Sequence, residues 1–266
     1  MMAAMIRTKL RCFLLLAAMS PAAAQYLPPQ LKPSDRDLFT RLAGAELEAL
    51  WAAVVDQGYP LCFIHELDPI HADRKMVGRA RTIRYLPNRK DLRDRLYAAG
   101  PQLNYKGSEE AEPGDILVFD AGGETRNAVT GVMTTTRFAA RGGVGMIADG
   151  AFRDVPGMAE MPIQVYMRRG QAAAVSPGMM SVDYQTPVRI GGVTVIPGDL
   201  LVGERHGILV IPAAIAETVI EKALSKGETE AFQHELLKSG EPIYGVYPRL
   251  NDANQKRFEA WRRNRK

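Results

Sequence analysis

The chain has 266 residues, 46% hydrophobic and 24% charged, with 24 Gly, 17 Pro and 2 Cys and a net charge of +4. This composition excludes a disordered chain, a collagen-like repeat and a disulfide scaffold, and the length is enough to bury a large core without a structural metal. The positive charge does not describe a nucleic-acid surface, because it collects at the two ends of the chain rather than over a folded face.

Residues 1–24 carry Arg7, Lys9 and Arg11 with no acid, so without them the net charge falls to +1. A basic leader, the short apolar run Cys12–Met19 and the small residues of Pro21-Ala22-Ala23-Ala24 form the pattern of a signal peptide. Eight apolar residues are too few to span a bilayer core. The expectation is cleavage after Ala24, a mature N-terminus at Gln25, and an exported chain, periplasmic or secreted. Only Cys62 then remains, within the apolar Leu61–Ile64, and it reads as a buried thiol with no disulfide partner.

Residues 25–45 read as a proline-rich arm leading into a first helix, which the spacing of Leu42, Leu47, Leu50, Trp51, Val54 and Val55 extends from Leu38 to Gln57. Arg79–Leu86 alternates as a half-buried strand, and Asp91–Ala99 reads as a short helix. Ile116–Asp120 is a continuous apolar run, typical of a strand buried on both faces, stopped by Ala121-Gly122-Gly123. Ala128–Arg141, rich in small and hydroxyl residues, predicts a closely packed helix with a glycine stop. Val144–Ala148 and Ile163–Met167 are two more buried strands. From Thr186 to Pro212, apolar runs alternate with turn signals such as Gly191-Gly192 and predict short antiparallel strands. Ala213–Ser239 is a long helix with a break risk at Gly227, and the basic tail over 251–266 reads as a solvated, frayed helix. The fold class is a single mixed α/β domain, spanning 46–212, with helical N- and C-terminal segments, the latter covering 213–266.

Several chemistries lack support. There is no G-x-S-x-G elbow and no phosphate-binding P-loop, and Gly143-x-Gly145-x-x-Ala148 lies in a strand rather than opening a helix. His65, Glu66, Asp68, His71 and Asp73 crowd a segment broken by Pro69, which suits a surface loop better than a helical metal motif. His206 and His234 are isolated. Three segments place glycines and polar groups past the ends of probable strands, where α/β sheets keep ligand sites: Asp120–Glu124, Gly131–Thr134 and Asp149–Asp154. Neighbouring side chains on a strand point to opposite faces, so Arg153 and Asp154 share one site only if the chain turns there, and Gly150 offers that turn. An Arg beside an Asp suits a site in which a guanidinium holds a carboxylate and the Asp holds a metal ion.

The stretches Pro113–Gly123, Gly131–Thr134, Gly145–Val155 and Ile196–Pro212, with D-G-A-x-R-D complete at Asp149–Asp154, resemble the regulator-of-ribonuclease-activity-A-like family, which includes the 4-hydroxy-4-methyl-2-oxoglutarate aldolases and has been labelled demethylmenaquinone methyltransferase. The resemblance implies an α/β fold of the ββα swivelling type, assembled as a homotrimer or homohexamer with sites between subunits. It implies a divalent cation, Mg2+ or else Mn2+, held by Asp154 largely through water. Arg153 and the backbone of Gly131, Val132, Met133 and Thr134 would bind the pyruvate end of a small 2-keto acid. Glu228 or Glu230 of a neighbouring subunit would complete the site. The implied reaction yields pyruvate by aldol cleavage or by decarboxylation of oxaloacetate, with neither nucleic acid nor a membrane span involved. One position departs: the aldolases carry a further aspartate 21 residues before the arginine, where this chain has Val132. Loss of such an outer-shell partner costs about 10–100-fold in metal affinity or activity. The alternative is therefore a catalytically silent exported member that binds a carboxylate or a protein.

Overall fold

The structure, a computed structural model, describes residues 32–176 and 178–265. The expected signal segment and cleavage site lie outside them.

Two helices open the described chain, α1 (Pro33–Gly44) and α2 (Leu47–Asp56), where the apolar spacing had suggested one. The interruption has a packing reason. Ala45 and Glu46 are extended, and Ala45 is itself buried. The change of direction lets Phe39 and Leu42 of α1 and Leu50 and Val54 of α2 reach a common core.

The chain continues through β1 (Phe63–Ile64), β2 (Asp68–Pro69), β3 (Met76–Pro87), α3 (Lys90–Ala99) and α4 (Leu103–Glu109). Then come β4 (Asp115–Thr130), α5 (Val132–Ala140), β5 (Gly145–Phe152), α6 (Val155–Ala159), β6 (Gln164–Gly170) and β7 (Met179–Tyr184). The short strands β8 (Val188–Ile190), β9 (Val193–Val195), β10 (Leu200–Glu204) and β11 (Gly207–Ile211) precede the long α7 (Ala216–Lys238) and a final α8 (Asp252–Arg263). One mixed sheet runs in the order β1-β11-β10-β3-β4-β5-β6-β2, with β7 also paired to β3, and β8 and β9 form a separate hairpin. Its centre, β3 to β6, is parallel, and the flanking strands are antiparallel.

The central strands are covered on both faces, which is why they read as unbroken apolar runs. Every residue of β5 is buried, and Phe119 of β4 meets Phe152 of β5 edge to face at 5.6 Å. Helices α1, α2 and α7 share one core cluster, while Phe138 of α5 and Met158 near the end of α6 belong to another.

Three further expectations are corrected here. The predicted helix from Ala128 begins only at Val132, because Ala128 and Thr130 are still paired with Ala151 and Phe152 of β5. Gly122 and Gly123 distort β4 into an irregular register instead of ending it. The basic tail is not frayed either. Phe258 is buried against Phe232, and Trp261 packs 5.5 Å from Phe232. Asn251 caps α8 by accepting the Asn254 amide at 2.9 Å. The tail's cations face acids, with Arg262 on Glu228 at 2.8 Å and Arg265 on Glu235 at 3.1 Å. Helix α7 passes Gly227 unbroken.

Candidate functional site

The site forms where β4 and β5 end side by side. Thr130 and Phe152 are paired neighbours, and the Arg153 amide donates to the Thr130 carbonyl at 3.0 Å. Immediately beyond, the chain turns at Asp154, which adopts a left-handed conformation at φ 58° and ψ 33°. The turn is therefore not made by Gly150, which stays inside β5 and has a different task. A Cβ at Gly150 would lie 2.7 Å from the Ala121 Cβ and 2.9 Å from the Glu124 carbonyl oxygen, so glycine permits β4 and β5 to approach. Asp is among the few non-glycine residues that visit the left-handed region readily, and such conformations gather at functional sites.

The turn brings two charged side chains into one place. Asp154 Oδ2 lies 3.3 Å from Arg153 Nε and accepts the Val132 amide at 3.3 Å. Both side chains are partly open to solvent, at 43% for Arg153 and 38% for Asp154, so a ligand can reach them. Gly131 makes the arrangement sterically possible, because a Cβ there would fall 2.5 Å from Asp154 Oδ2 and 2.6 Å from Arg153 Cγ.

Gly131, Met133, Thr134, Arg153 and Asp154 line one cleft of about 240 Å³, together with Gln102, Asn104 and Tyr105 from the α4 region. Val132 contributes its amide rather than its side chain, which lies against Gly157 of α6. The amides of Met133 and Thr134 begin α5 and have no hydrogen-bond partner among the described residues. The start of a helix concentrates unpaired N–H groups and the positive end of the helix dipole. With the Arg153 guanidinium beside it, the cleft favours a small anion. Beneath it, the Tyr85 hydroxyl donates to the Val129 carbonyl at 3.4 Å, and burial pushes its pKa far above the usual phenol range.

Of the three segments singled out in the sequence, two contribute to this cleft, and the third, although Glu124 pairs with Gly150, lines another. Asp120–Glu124 lines a separate cleft with Arg84 and Met179. There Asp120 accepts the amides of Gly122 and Arg189, and the Arg126 guanidinium and amide hold the Glu124 carboxyl down to about 2. Asp149 is also drawn away from the site. It pairs with Arg168, which also reaches Glu66 at 2.8 Å, and it accepts the Gly191 amide at 3.0 Å. These contacts tie β5 to β6 and to the turn joining β8 and β9. Glu228 and Glu230 lie on α7, engaged by Arg262 and by Lys226 at 3.5 Å, and neither lines the cleft of its own chain. Cys62 is buried and free, and burial pushes its thiol pKa up. His71 Nε2 sits 2.9 Å from the Ala159 carbonyl. Among the described residues no three His, Cys, Asp or Glu side chains are grouped to hold a metal ion.

A mixed α/β sheet with a small cleft at the ends of its parallel strands, lined by one guanidinium and one carboxylate, defines the class of protein. The model of the RraA-like family, described as Aldolase/RraA, matches residues 52–210, and the chain belongs to that family. A Halalkalibacterium halodurans protein provisionally named 4-hydroxy-4-methyl-2-oxoglutarate aldolase is 32% identical over 161 residues, 60% of this chain and 70% of that one. The 4-hydroxy-4-methyl-2-oxoglutarate aldolase of Thermus thermophilus is 28% identical over 139 residues, 52% of this chain and 76% of that one. The crystal structure of Streptomyces coelicolor RraAS2, described as an unusual member of the RNase ES inhibitor RraA protein family, superposes with a TM-score of 0.67 at 28% identity. That superposition covers 77% of this chain and 99% of the other.

Proposed function

We propose that the protein is a metal-dependent lyase that releases pyruvate from a small 2-keto acid, by aldol cleavage of the 4-hydroxy-4-methyl-2-oxoglutarate type or by decarboxylation of oxaloacetate. The observation that carries this reading is the convergence of Arg153, the free amides at the start of α5 and Asp154 on one small cleft. Arg153 is suited to hold the carboxylate next to the keto group through two parallel hydrogen bonds, and the Met133 and Thr134 amides to fix its orientation.

Asp154 is the one carboxylate lining the cleft among the described residues. A single carboxylate, open to solvent, fits a cation that keeps most of its water, as Mg2+ does, and does not fit an all-protein cage. When bound, such an ion would supply Lewis-acid stabilisation of the negative charge that develops on the keto oxygen. Mn2+ would satisfy the same donor set. The chain's own part is to seat the carboxylate and keep Asp154 in place through the Val132 amide and the Asp154 turn. We include in this reading a homotrimer or homohexamer, in which a neighbour's Glu228 or Glu230 reaches the cleft, and export of the mature chain from Gln25.

The direct test is pyruvate formation by the protein from Gln25 onward, given oxaloacetate and 4-hydroxy-4-methyl-2-oxoglutarate with and without Mg2+. Release that depends on the metal is expected, and none from either substrate would overturn the lyase.

A second reading, a silent carboxylate-binding member, is favoured by one observation. Where the aldolase pattern expects an acid, Val132 turns an apolar side chain toward Gly157 of α6. If the missing acid limits a working lyase, Val132→Asp will raise metal-dependent turnover by about 10–100-fold. An unchanged rate in a folded variant, with oxalate still raising Tm, would favour the silent reading.

A further inference from the structure

Among the described α-helices, α3 alone buries no residue. Its ion pairs are local: Arg89 with Asp91 at 2.8 Å, Lys90 with Asp94, and Arg93 with Asp94 at 2.9 Å. Arg95 donates to the Asp91 carbonyl at 3.3 Å. None of these polar contacts ties α3 to another element. A helix held in this way belongs to the low-stability end of a fold, from which the elements that move over binding sites are drawn. The half-buried side chains Leu92, Arg93, Leu96 and Tyr97 follow the i, i+4 spacing of one helix face, while Asp91, Asp94, Arg95 and Ala98 are exposed on the other.

That inner face stands at the rim of the cleft. Only Gly100 and Pro101 separate α3 from Gln102, which lines the cleft. Tyr97 connects the two: burial raises its phenol pKa, and Arg93 and Tyr105 both lie near enough to act on it. Tyr105, 51% exposed, lines the cleft together with Arg153 and Asp154. The proposed substrates carry a carboxylate at each end, but among the described residues a single guanidinium, that of Arg153, lines the cleft. Gln102, Asn104 and Tyr105 can donate hydrogen bonds to the far carboxylate but bring no charge. Arg93 does bring one. Its counter-ion Asp94 is solvent-exposed and shared with Lys90, so exchanging Asp94 for a substrate carboxylate costs little.

We propose that α3 closes over the cleft when a dicarboxylate binds, and that Arg93 then holds the carboxylate far from the keto group. This rests on the pyruvate-forming reading for the identity of the substrate but not for the preference for two carboxylates. Arg93 also separates the two reactions. In aldol cleavage the far carboxylate stays on the departing fragment, so its contact with Arg93 persists through the transition state. In decarboxylation that carboxylate is itself lost as neutral carbon dioxide, and a guanidinium on it stabilises the reactant instead. Arg93 therefore favours the aldol substrate over oxaloacetate.

The test compares 2-hydroxypentanedioate with 2-hydroxypentanoate, which differ only at the far carbon and, lacking a keto group, do not undergo aldol cleavage. Dissociation constants are measured calorimetrically in Mg2+ for the full protein, for Arg93→Met and for the outward-facing Arg95→Met, and tryptic cleavage within α3 is followed with and without each ligand. The parent protein is expected to bind the diacid about tenfold more tightly than the monoacid. The diacid, but not the monoacid, should slow cleavage within α3. Arg93→Met should bring the preference close to unity with Tm and monoacid affinity unchanged, and Arg95→Met should keep it. Equal affinity for the two ligands or none for either, a preference that survives Arg93→Met, or cleavage that the diacid does not slow would overturn the proposal. A surviving preference would assign the far carboxylate to the neutral side chains of the α4 region. Resistance of α3 to trypsin without any ligand would overturn it as well, and would mean that a second copy of the chain already covers the helix. A diacid preference that needs Arg93, without pyruvate release from any 2-keto acid, would sink the lyase and leave the role of α3 standing. Pyruvate release with the same KM for 4-hydroxy-4-methyl-2-oxoglutarate in Arg93→Met would do the reverse.

Discussion

Asp154→Ala is expected to lower metal-dependent pyruvate release by at least about 100-fold. Asp154 has two roles that the alanine variant removes together. Among the described residues its carboxylate is the one acidic group lining the cleft, and it holds the Val132 amide and Arg153, each at 3.3 Å. Its backbone is left-handed, a conformation that costs alanine about 1 kcal/mol or more. A fall in activity alone would therefore not separate the charge from the turn. Asp154→Asn does separate them, since asparagine tolerates the left-handed region and keeps an oxygen to accept the Val132 amide, but has no charge. The asparagine variant should unfold at the parent's Tm and be as inactive as the alanine one. An active asparagine variant would show that Asp154 shapes the site without holding a cation.

The same turn shows where the sequence was legible and where it was not. The parallel strands could be read because burial on both faces leaves a continuous apolar signature, as in Ile116–Phe119 and Val144–Ala148. The two-residue strands β1 and β2 have no period to detect, and they exist only because β11 and β6 offer edges to pair with. Ala128–Thr130 was misread as helix because small and hydroxyl residues suit either state, and the pairing with β5 decided between them. The aromatic face of α8 was hidden by the charge around it, although Phe258 and Trp261 stand at helical spacing.

At the site, Arg153, Asp154 and the start of α5 lie within short local motifs, and the resemblance to the family joined them in one cleft, whereas residue type and spacing alone left Asp120–Glu124 as an equal candidate. The turn was assigned to Gly150 because glycine is the usual signal for positive φ, while Asp154 itself supplied it. Asn104 could not be seen at all. It arrives on a separate helix through tertiary packing, and nothing local marks it as lining the cleft.

The largest loss of stability is expected from Asp115→Ala, by about 3–5 kcal/mol, read as a lower urea midpoint with unchanged slope. Asp115 starts β4 and is 2% exposed. Its Oδ1 accepts from Arg79 at 3.1 and 3.2 Å, and its Oδ2 accepts from Arg81 at 2.7 Å and from the Glu112 amide at 2.9 Å. Removing the carboxylate leaves two mostly buried guanidinium groups short of their shared counter-ion. Arg79 retains Asp35 at 2.9 Å, but Arg81 retains only the neutral Tyr184 hydroxyl at 2.6 Å. The deficit therefore falls mainly on Arg81, and this gives the prediction its internal check. In the alanine background, a further Arg81→Met change should restore part of the lost stability, because it removes the uncompensated charge while keeping an apolar side chain of similar length. No recovery would place the cost in the β3–β4 register, which Arg79 and Asp115 begin as direct neighbours, rather than in stranded charge. The outcome bears on the site as well, since the strand that Asp115 anchors ends at Thr130 and leads into Gly131.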